Sequence, residues 1–454
     1  MVFSSLTFLL LFMPGVLLGY RFIPAKGRMP FLLAASLLFY GWGNPGWLLL
    51  LGWCVLVSWG GTLVLNRLRR GRKAVLALVI ILDLLPLVRF KYTGFLCETI
   101  RALTGWEPGA RIPALPAGIS FFTFQALSYV LDVWRGNAKA QRSPVVFGVY
   151  LSLFPQLTAG PVVRYREMEA QLAARPRPTW EQMRGGLNRF CTGLAKKVLL
   201  ADALGRFWGQ MNADFSRAGA LGAWLGLIAF SFQIYFDFSG YSDMAIGLGK
   251  ALGFELPENF DRPYRAKSLT EFWRRWHISL TAWFTDYVYI PLGGNRRGAV
   301  RRDLNLAVVW ALTGLWHGAG WHFVLWGLYF AALLILEKRA GERRPAAAGR
   351  RRGRASAFLR QGATYLAVLL GWGLFSGFGE PLFRAMAGGM GLASPRAALA
   401  CAAYAPLIIL CAALSFAPRV PELTGRRFAA PVLMVLCLAA IAAQSYAPFI
   451  YFQF

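Results

Sequence analysis

Apolar residues come in long runs along this chain, and cations gather in the gaps between the runs. Leu6–Phe22, Met29–Trp42, Gly46–Leu65 and Ala74–Val88 open the series. Ile112–Val133, Val145–Val163, Ala220–Phe238, Leu304–Leu315 and Gly320–Leu336 continue it, and Phe358–Phe378, Ala397–Phe416 and Ala429–Ala443 close it. A helix that crosses a bilayer needs roughly 20 mainly apolar residues. The pattern therefore predicts an all-α polytopic membrane protein with roughly ten to twelve transmembrane helices. Leu304–Leu315 is too short to cross alone, and Pro155–Pro161 is punctuated by Pro and Gly. Both predict re-entrant or interfacial segments, which lipid tolerates only where protein shields the backbone or the backbone lines a cavity.

Composition agrees with that class. Hydrophobic residues make up 57% of the 454 and charged residues 15%, against roughly 45–50% and about 25% in soluble domains. The net charge of +28 does not point to nucleic acid, because the cations sit between apolar runs and no finger spacing or basic soluble domain accompanies them. They read as orientation signals and as a surface facing anionic lipid. Arg21, Lys26 and Arg28 follow the first run and Arg67, Arg69, Arg70, Arg72 and Lys73 the third, whereas Gly43-Asn44-Pro45 carries no charge. This places the N-terminus outside, with the first run retained as a span. Residues 338–356, whose cations run from Lys338 to Arg354, read as a disordered cytoplasmic loop. The chain, 1–454, reads as one integral-membrane domain. Cys54, Cys97, Cys191, Cys401, Cys411 and Cys437 are scattered, mostly inside apolar runs, and predict neither a disulfide framework nor a Cys-based metal site.

Chemistry is sought where ionisable groups enter this apolar background. Of the chain's three histidines, His277 ends Phe272-Trp273-Arg274-Arg275-Trp276-His277 and His317 sits in Gly314-Leu315-Trp316-His317-Gly318. Imidazole exchanges protons near neutral pH, so both are candidates for general acid-base work. From Leu269 to Val288 the residues Leu269, Phe272, Trp273, Trp276, Leu280, Trp283, Phe284 and Tyr287 recur at helical spacing. One helix is expected there, with His277 on the opposite side beside Thr270, Arg274 and Thr281. Gly314, Gly318 and Gly320 either open space for a thin substrate beside His317 or allow tight helix packing. His322 would lie about 140° round the same helix from His317 and reads as structural. No HExxH or carboxylate pair supports a metal, and no Gly-x-Ser-x-Gly elbow supports a serine hydrolase. Asp237 and Asp243 end an apolar run, where a helix break near Ser239-Gly240 or an Arg partner would satisfy them.

These segments resemble a known family. Phe272-Trp273-Arg274-Arg275-Trp276-His277-Ile278-Ser279-Leu280, Trp283-Phe284-Thr285-Asp286-Tyr287 and Ile290-Pro291-Leu292-Gly293-Gly294-Asn295-Arg296 are similar to the signature of the membrane-bound O-acyltransferases, alginate O-acetyltransferase branch. So are Phe154-Pro155-Gln156-Leu157-Thr158-Ala159-Gly160-Pro161, Tyr235-Phe236-Asp237-Phe238-Ser239-Gly240-Tyr241 and the final Pro448-Phe449-Ile450-Tyr451-Phe452-Gln453-Phe454. The resemblance implies a fold built round a central catalytic tunnel. It also implies an inner-membrane enzyme passing acetyl from cytoplasmic acetyl-CoA towards an exopolysaccharide or other cell-envelope glycan, beside a periplasmic SGNH-like partner. His317 would be catalytic and His277 its polar partner, orienting the thioester carbonyl or stabilising its developing charge. Arg164, Arg274, Arg275 and Arg296 would hold the donor's phosphates or, equally, lipid headgroups. D-alanyl or longer acyl transfer within the superfamily is the alternative, as is a transporter or flippase using the His and Asp residues as a proton relay.

Overall fold

The computed structural model describes residues 1–342, 354–417 and 429–443. Among these the regular elements are helices, joined by one isolated backbone bridge. Among the described residues three helices are both long and apolar enough to cross a membrane: Trp47–Arg67, Phe215–Ala251 and Pro395–Phe416. Most other predicted runs are helices too, but shorter or interrupted by charge, as in Ala25–Gly41, Arg72–Leu87, Trp321–Glu342 and Ala429–Ala443. Leu49, Leu399 and Ile409 point outward on the first and last spanning helices. Large apolar groups left on a surface in this way suit contact with hydrocarbon.

The described residues form two compact units. One gathers residues from 1–194, 241–258 and 429–443, the other from 195–240, 259–342 and 354–417. In the first, Val145–Val163 is not one span. Ser143 accepts from the Val146 N–H and Pro144 fills the first turn, which starts the Pro144–Ser152 helix. The chain then breaks at Leu153, makes the short turn Phe154–Leu157 and continues without regular structure to Arg164, which is extended. This irregular stretch is almost wholly buried, as re-entrant backbone must be. The Tyr150 hydroxyl donates to the Val163 carbonyl at 2.9 Å, and Gln156 Nε2 donates to the Tyr150 carbonyl at 2.9 Å.

In the second unit Leu304–Leu315 proves to be the middle of a full helix, Gly298–His317. Its polar first turns hid it from a search for apolar runs: Arg302 pairs with Asp303 and Glu342, and Asp303 also with Arg339. The long Phe215–Ala251 helix bends at Gly219, where φ is 60°. The freed N–H groups of Ala220 and Leu221 donate to the Gly391 and Leu392 carbonyls at 2.9 Å. No break occurs at Ser239-Gly240. Asp237 instead faces Lys197 Nζ at 3.1 Å, beside Asp202, while Asp243, in the first unit, is held by Arg189 at 2.9 Å. Residues 338–342 and 354–356, expected in the basic loop, are the last turn of the Trp321–Glu342 helix and the first of Arg354–Phe375. The rest of that loop, 343–353, and the motif Pro448–Phe454 lie outside the described residues.

Candidate active site

The segment Leu269–Val288 keeps its apolar face but not its single helix. All eight stripe residues, Leu269 to Tyr287, are buried. The helix is cut at Trp276-His277 into Leu269–Arg275 and Ile278–Phe284. Ser268 starts the first piece by accepting from the Glu271 N–H at 3.1 Å. Glu337, from the Trp321–Glu342 helix, accepts from the Leu269 and Thr270 N–H groups at 2.7 and 3.1 Å, a carboxylate at the positive end of a helix. His277 itself takes φ 46°, ψ 52°, a left-handed conformation uncommon for a residue with a Cβ. The segment 259–261 holds it there: the Ile278 N–H donates to the Asn259 carbonyl at 3.0 Å, and the Asp261 N–H to the Arg275 carbonyl at 2.9 Å.

Locked at this break, His277 is 2% exposed. Its Nδ1 lies 3.2 Å from Asn259 Oδ1, and the Phe238 ring meets it edge-on at 4.6 Å. His277 lies outside the spanning helices, and burial pushes its imidazole down to about 3. It is therefore neutral at physiological pH, because an apolar wall penalises the charged form.

His317 is the last residue of the Gly298–His317 helix, since Gly318 turns to φ −160°, ψ 155°. That break corrects the placing of His322, which lies on the next helix, Trp321–Glu342, and not further round the same one. The glycines settle as packing residues. A Cβ on Gly314 would stand 2.2 Å from the Phe323 carbonyl oxygen, and one on Gly327 2.2 Å from that of Trp310. The two helices therefore meet backbone to backbone, and this close crossing sets the His317 ring against Trp326 at 5.1 Å and Phe375 at 5.5 Å. The His277 and His317 rings are 6.3 Å apart between centroids.

Both histidines border one cavity of about 360 Å³, with Thr270, Arg274, Thr281 and Lys338 among its polar lining and Trp273 and Trp310 among its apolar walls. Thr270, Arg274, His277 and Thr281 thus share a side, as the spacing predicts, although the helix between them is broken. The arginines disperse. Arg274 is exposed and lines the cavity, whereas Arg275 is drawn into ion pairs with Glu271 and Asp261, both at 3.0 Å. Arg296 is exposed in the turn after Pro291. Arg164 belongs to the other unit, where it pairs with Glu167 at the start of a helix.

Three contributors escape a motif search. Asn259 lies in an irregular stretch without a recognisable pattern, Glu337 adjoins a basic run that reads as loop, and Lys338 opens that run. Their one signal is spacing, since Lys338 follows Leu334 by one helical turn and both line the cavity. Among the described residues the buried indole nitrogens of Trp273 and Trp326 and the Nε2 of His277 have no hydrogen-bond partner. Buried polar atoms of this kind cost free energy unless something binds them. The pocket therefore offers proton-exchanging nitrogens, the Trp273 indole and a cationic side, which suits transfer of a polar group.

Comparison with known proteins agrees with this chemistry. The profile of the membrane-bound O-acyltransferase family matches residues 143–359. Over the full length of both chains the sequence is 36% identical to the probable alginate O-acetylase AlgI of Pseudomonas putida. It is 43% identical to that of Azotobacter vinelandii over 74% of this chain and 69% of the relative. It is also 33% identical to the peptidoglycan O-acetyltransferase of Helicobacter pylori, over 74% and 70%. The chain is an all-helical membrane enzyme and belongs to the membrane-bound O-acyltransferase family.

Proposed function

We propose that this enzyme takes acetyl groups from cytoplasmic acetyl-CoA and passes them across the bacterial inner membrane for O-acetylation of an exopolysaccharide such as alginate, or of another cell-envelope glycan. The names of the relatives support acetyl as the group and a glycan as its destination. The observation that carries the reading is the pairing of His277 with His317 on one cavity behind tryptophan walls. His317 acts as general base towards the acceptor hydroxyl or thiol, a role typically worth about 10²–10⁴-fold, and its proton passes on to the departing CoA sulfur. Arg274, on the cavity's cationic side, serves the phosphates of the donor. Arg164, Arg275 and Arg296, offered by sequence for the same task, have weaker claims: the first two already hold carboxylates, and Arg296 lies in a turn. Final transfer to the sugar falls to a periplasmic partner of the SGNH hydrolase-like class.

The test is transfer of radiolabelled acetyl from acetyl-CoA in membranes holding the chain and its partner, with wild type and His317→Ala at matched expression. Label reaching partner or glycan only with His317 intact is expected. Equal labelling in both sinks the role of His317. D-alanyl thioester consumed in place of acetyl-CoA moves the enzyme to the other acyl branch, and flux without any acyl donor would make it a transporter.

A further inference from the structure

Asn259 Oδ1 sits at a point where three groups converge. The Ser279 N–H reaches it at 3.3 Å, the Ser279 hydroxyl at 2.8 Å and His277 Nδ1 at 3.2 Å. A backbone N–H can only donate, so the side-chain atom it faces is the amide oxygen and not the amide nitrogen, whichever way an Asn is drawn. An amide oxygen can only accept. The Nδ1 of His277 must then carry the proton, and a neutral imidazole has only one.

The doubly protonated form is disfavoured by the surroundings. His277 is 2% exposed, and the ionisable groups lining its cavity are Arg274, Lys338, Tyr289 and His317, with no carboxylate among them. A positive charge on this buried ring would face Arg274 and Lys338 with no carboxylate lining the cavity as counter-ion, which low-dielectric surroundings penalise heavily.

We infer that Asn259 is a positioning residue that fixes His277 as the Nδ1–H tautomer, leaving Nε2 as a hydrogen-bond acceptor for a hydroxyl or thiol entering the cavity. Nε2 is the one polar atom of this ring not already engaged, and it is buried without a partner among the described residues. This reverses the role that sequence suggests for His277. Polarising a carbonyl or holding an oxyanion needs an N–H, and the tautomer presents a lone pair. His277 therefore selects for ligands that bring a proton, an acceptor hydroxyl or the thiol of the spent donor, and ordering one of these beside His317 is its contribution. The inference rests on the acyl-transfer reading for its purpose but not for its geometry.

The chain's three histidines make a direct test practical. With ¹⁵N-histidine incorporated and the full chain reconstituted in phosphatidylethanolamine–phosphatidylglycerol bilayers, solid-state NMR separates protonated from bare ring nitrogens. The His277 signals are assigned by their loss in His277→Gln. Nδ1 protonated and Nε2 bare is expected at pH 7, and a protonated Nε2 in the wild type overturns the inference. Asn259→Asp adds a second readout, because it keeps the acceptor but places a negative charge on the Nδ1–H and so favours the imidazolium. The pH at which the bare Nε2 of His277 gains a proton in the ¹⁵N spectrum is expected to move up by about one unit or more, where one unit is about 1.4 kcal/mol. A His277 titration that stays in place, with the variant as stable as wild type, means that Asn259 serves only Ile278 and Ser279, and overturns the positioning role. The NMR result needs no turnover, so failure of wild-type membranes to transfer acetyl would sink the proposed reaction and leave the tautomer standing or falling on its own.

Discussion

His277 and His317 both stand at helix ends, one opening the Ile278–Phe284 helix and the other closing Gly298–His317, and their rings come within 6.3 Å. A helix interior offers a side chain one direction fixed by its neighbours, whereas a terminus frees the residue to be aimed by the chain that follows. At His277 the aim is set by 259–261 and at His317 by the turn at Gly318. Each position costs local strain or lost helix bonds, which the surrounding tryptophans and the carboxylate of Glu337 offset.

The buried Lys197 lies between two carboxylates, Asp237 at 3.1 Å and Asp202 on its other side. Removing one carboxylate leaves a neutral Lys–Asp pair, while removing the lysine leaves two buried anions facing each other. Lys197→Met is therefore expected to destabilise by about 3–5 kcal/mol, the range for stranding a buried charge, and Asp237→Asn by clearly less. Thermal unfolding in detergent checks the order of the two, and equal losses would show that Lys197 does not bridge both acids.

Arg274 and Arg275 are neighbours with different duties. Arg274 lines the cavity and makes no ion pair among the described residues, while Arg275 ties Glu271 to Asp261. Arg274→Ala should raise KM for acetyl-CoA about tenfold with kcat little changed, the loss of roughly one charge-assisted contact worth about 1.4 kcal/mol. Arg275→Ala should lower stability and leave KM near wild type. Steady-state kinetics with acetyl-CoA as the varied substrate separates the two, and a KM effect confined to Arg275→Ala would reverse the assignment.

Periodicity and composition made the helical membrane class legible, and the stripe Leu269, Phe272, Trp273, Trp276, Leu280, Trp283, Phe284 and Tyr287 foretold a buried face residue by residue. The breaks at His277 and Gly318 were not legible, for different reasons. The first depends on backbone bonds to Asn259 and Asp261, distant in sequence, which local spacing does not encode. The second lies in a Gly-rich stretch that permits a helix and a turn alike. The helices Trp180–Ala195 and Asp202–Asn212 escaped because their apolar faces alternate with charge and form no continuous run. Asp237, at the end of an apolar run, needs a partner on sequence grounds alone, but only the fold names Lys197.

The crossing of Gly298–His317 with Trp321–Glu342 predicts a sharp size limit. Gly314→Ala puts its methyl 2.2 Å from the Phe323 carbonyl oxygen, a backbone atom that cannot swing aside, whereas a methyl at Gly362 meets nothing within 4 Å. Gly314→Ala should cost about 1–3 kcal/mol, as overpacking does, and should lower acetyl transfer by moving His317. Gly362→Ala should be neutral or slightly stabilising through helix propensity. Detergent melting curves beside transfer rates give both numbers, and a Gly314→Ala protein with wild-type stability would contradict the backbone-to-backbone contact.

Burial of His277 also has a signature in stability against pH. Its folded value, about 3, lies below the usual unfolded value of about 6.5. Between those two values the unfolded chain holds a proton that the folded chain refuses, so stability rises with pH across that window. The full contribution is present above pH 6.5 and is lost progressively as pH falls, at up to about 1.4 kcal/mol per pH unit for this one group. His277→Gln removes the titration, whatever packing it also disturbs. Wild type should lose more stability than His277→Gln when pH drops from 7 to 4, so the two lines converge towards acid. Parallel lines in chemical unfolding across that range would mean that His277 takes up a proton in the folded protein as readily as in the unfolded chain, and that its site is open to water.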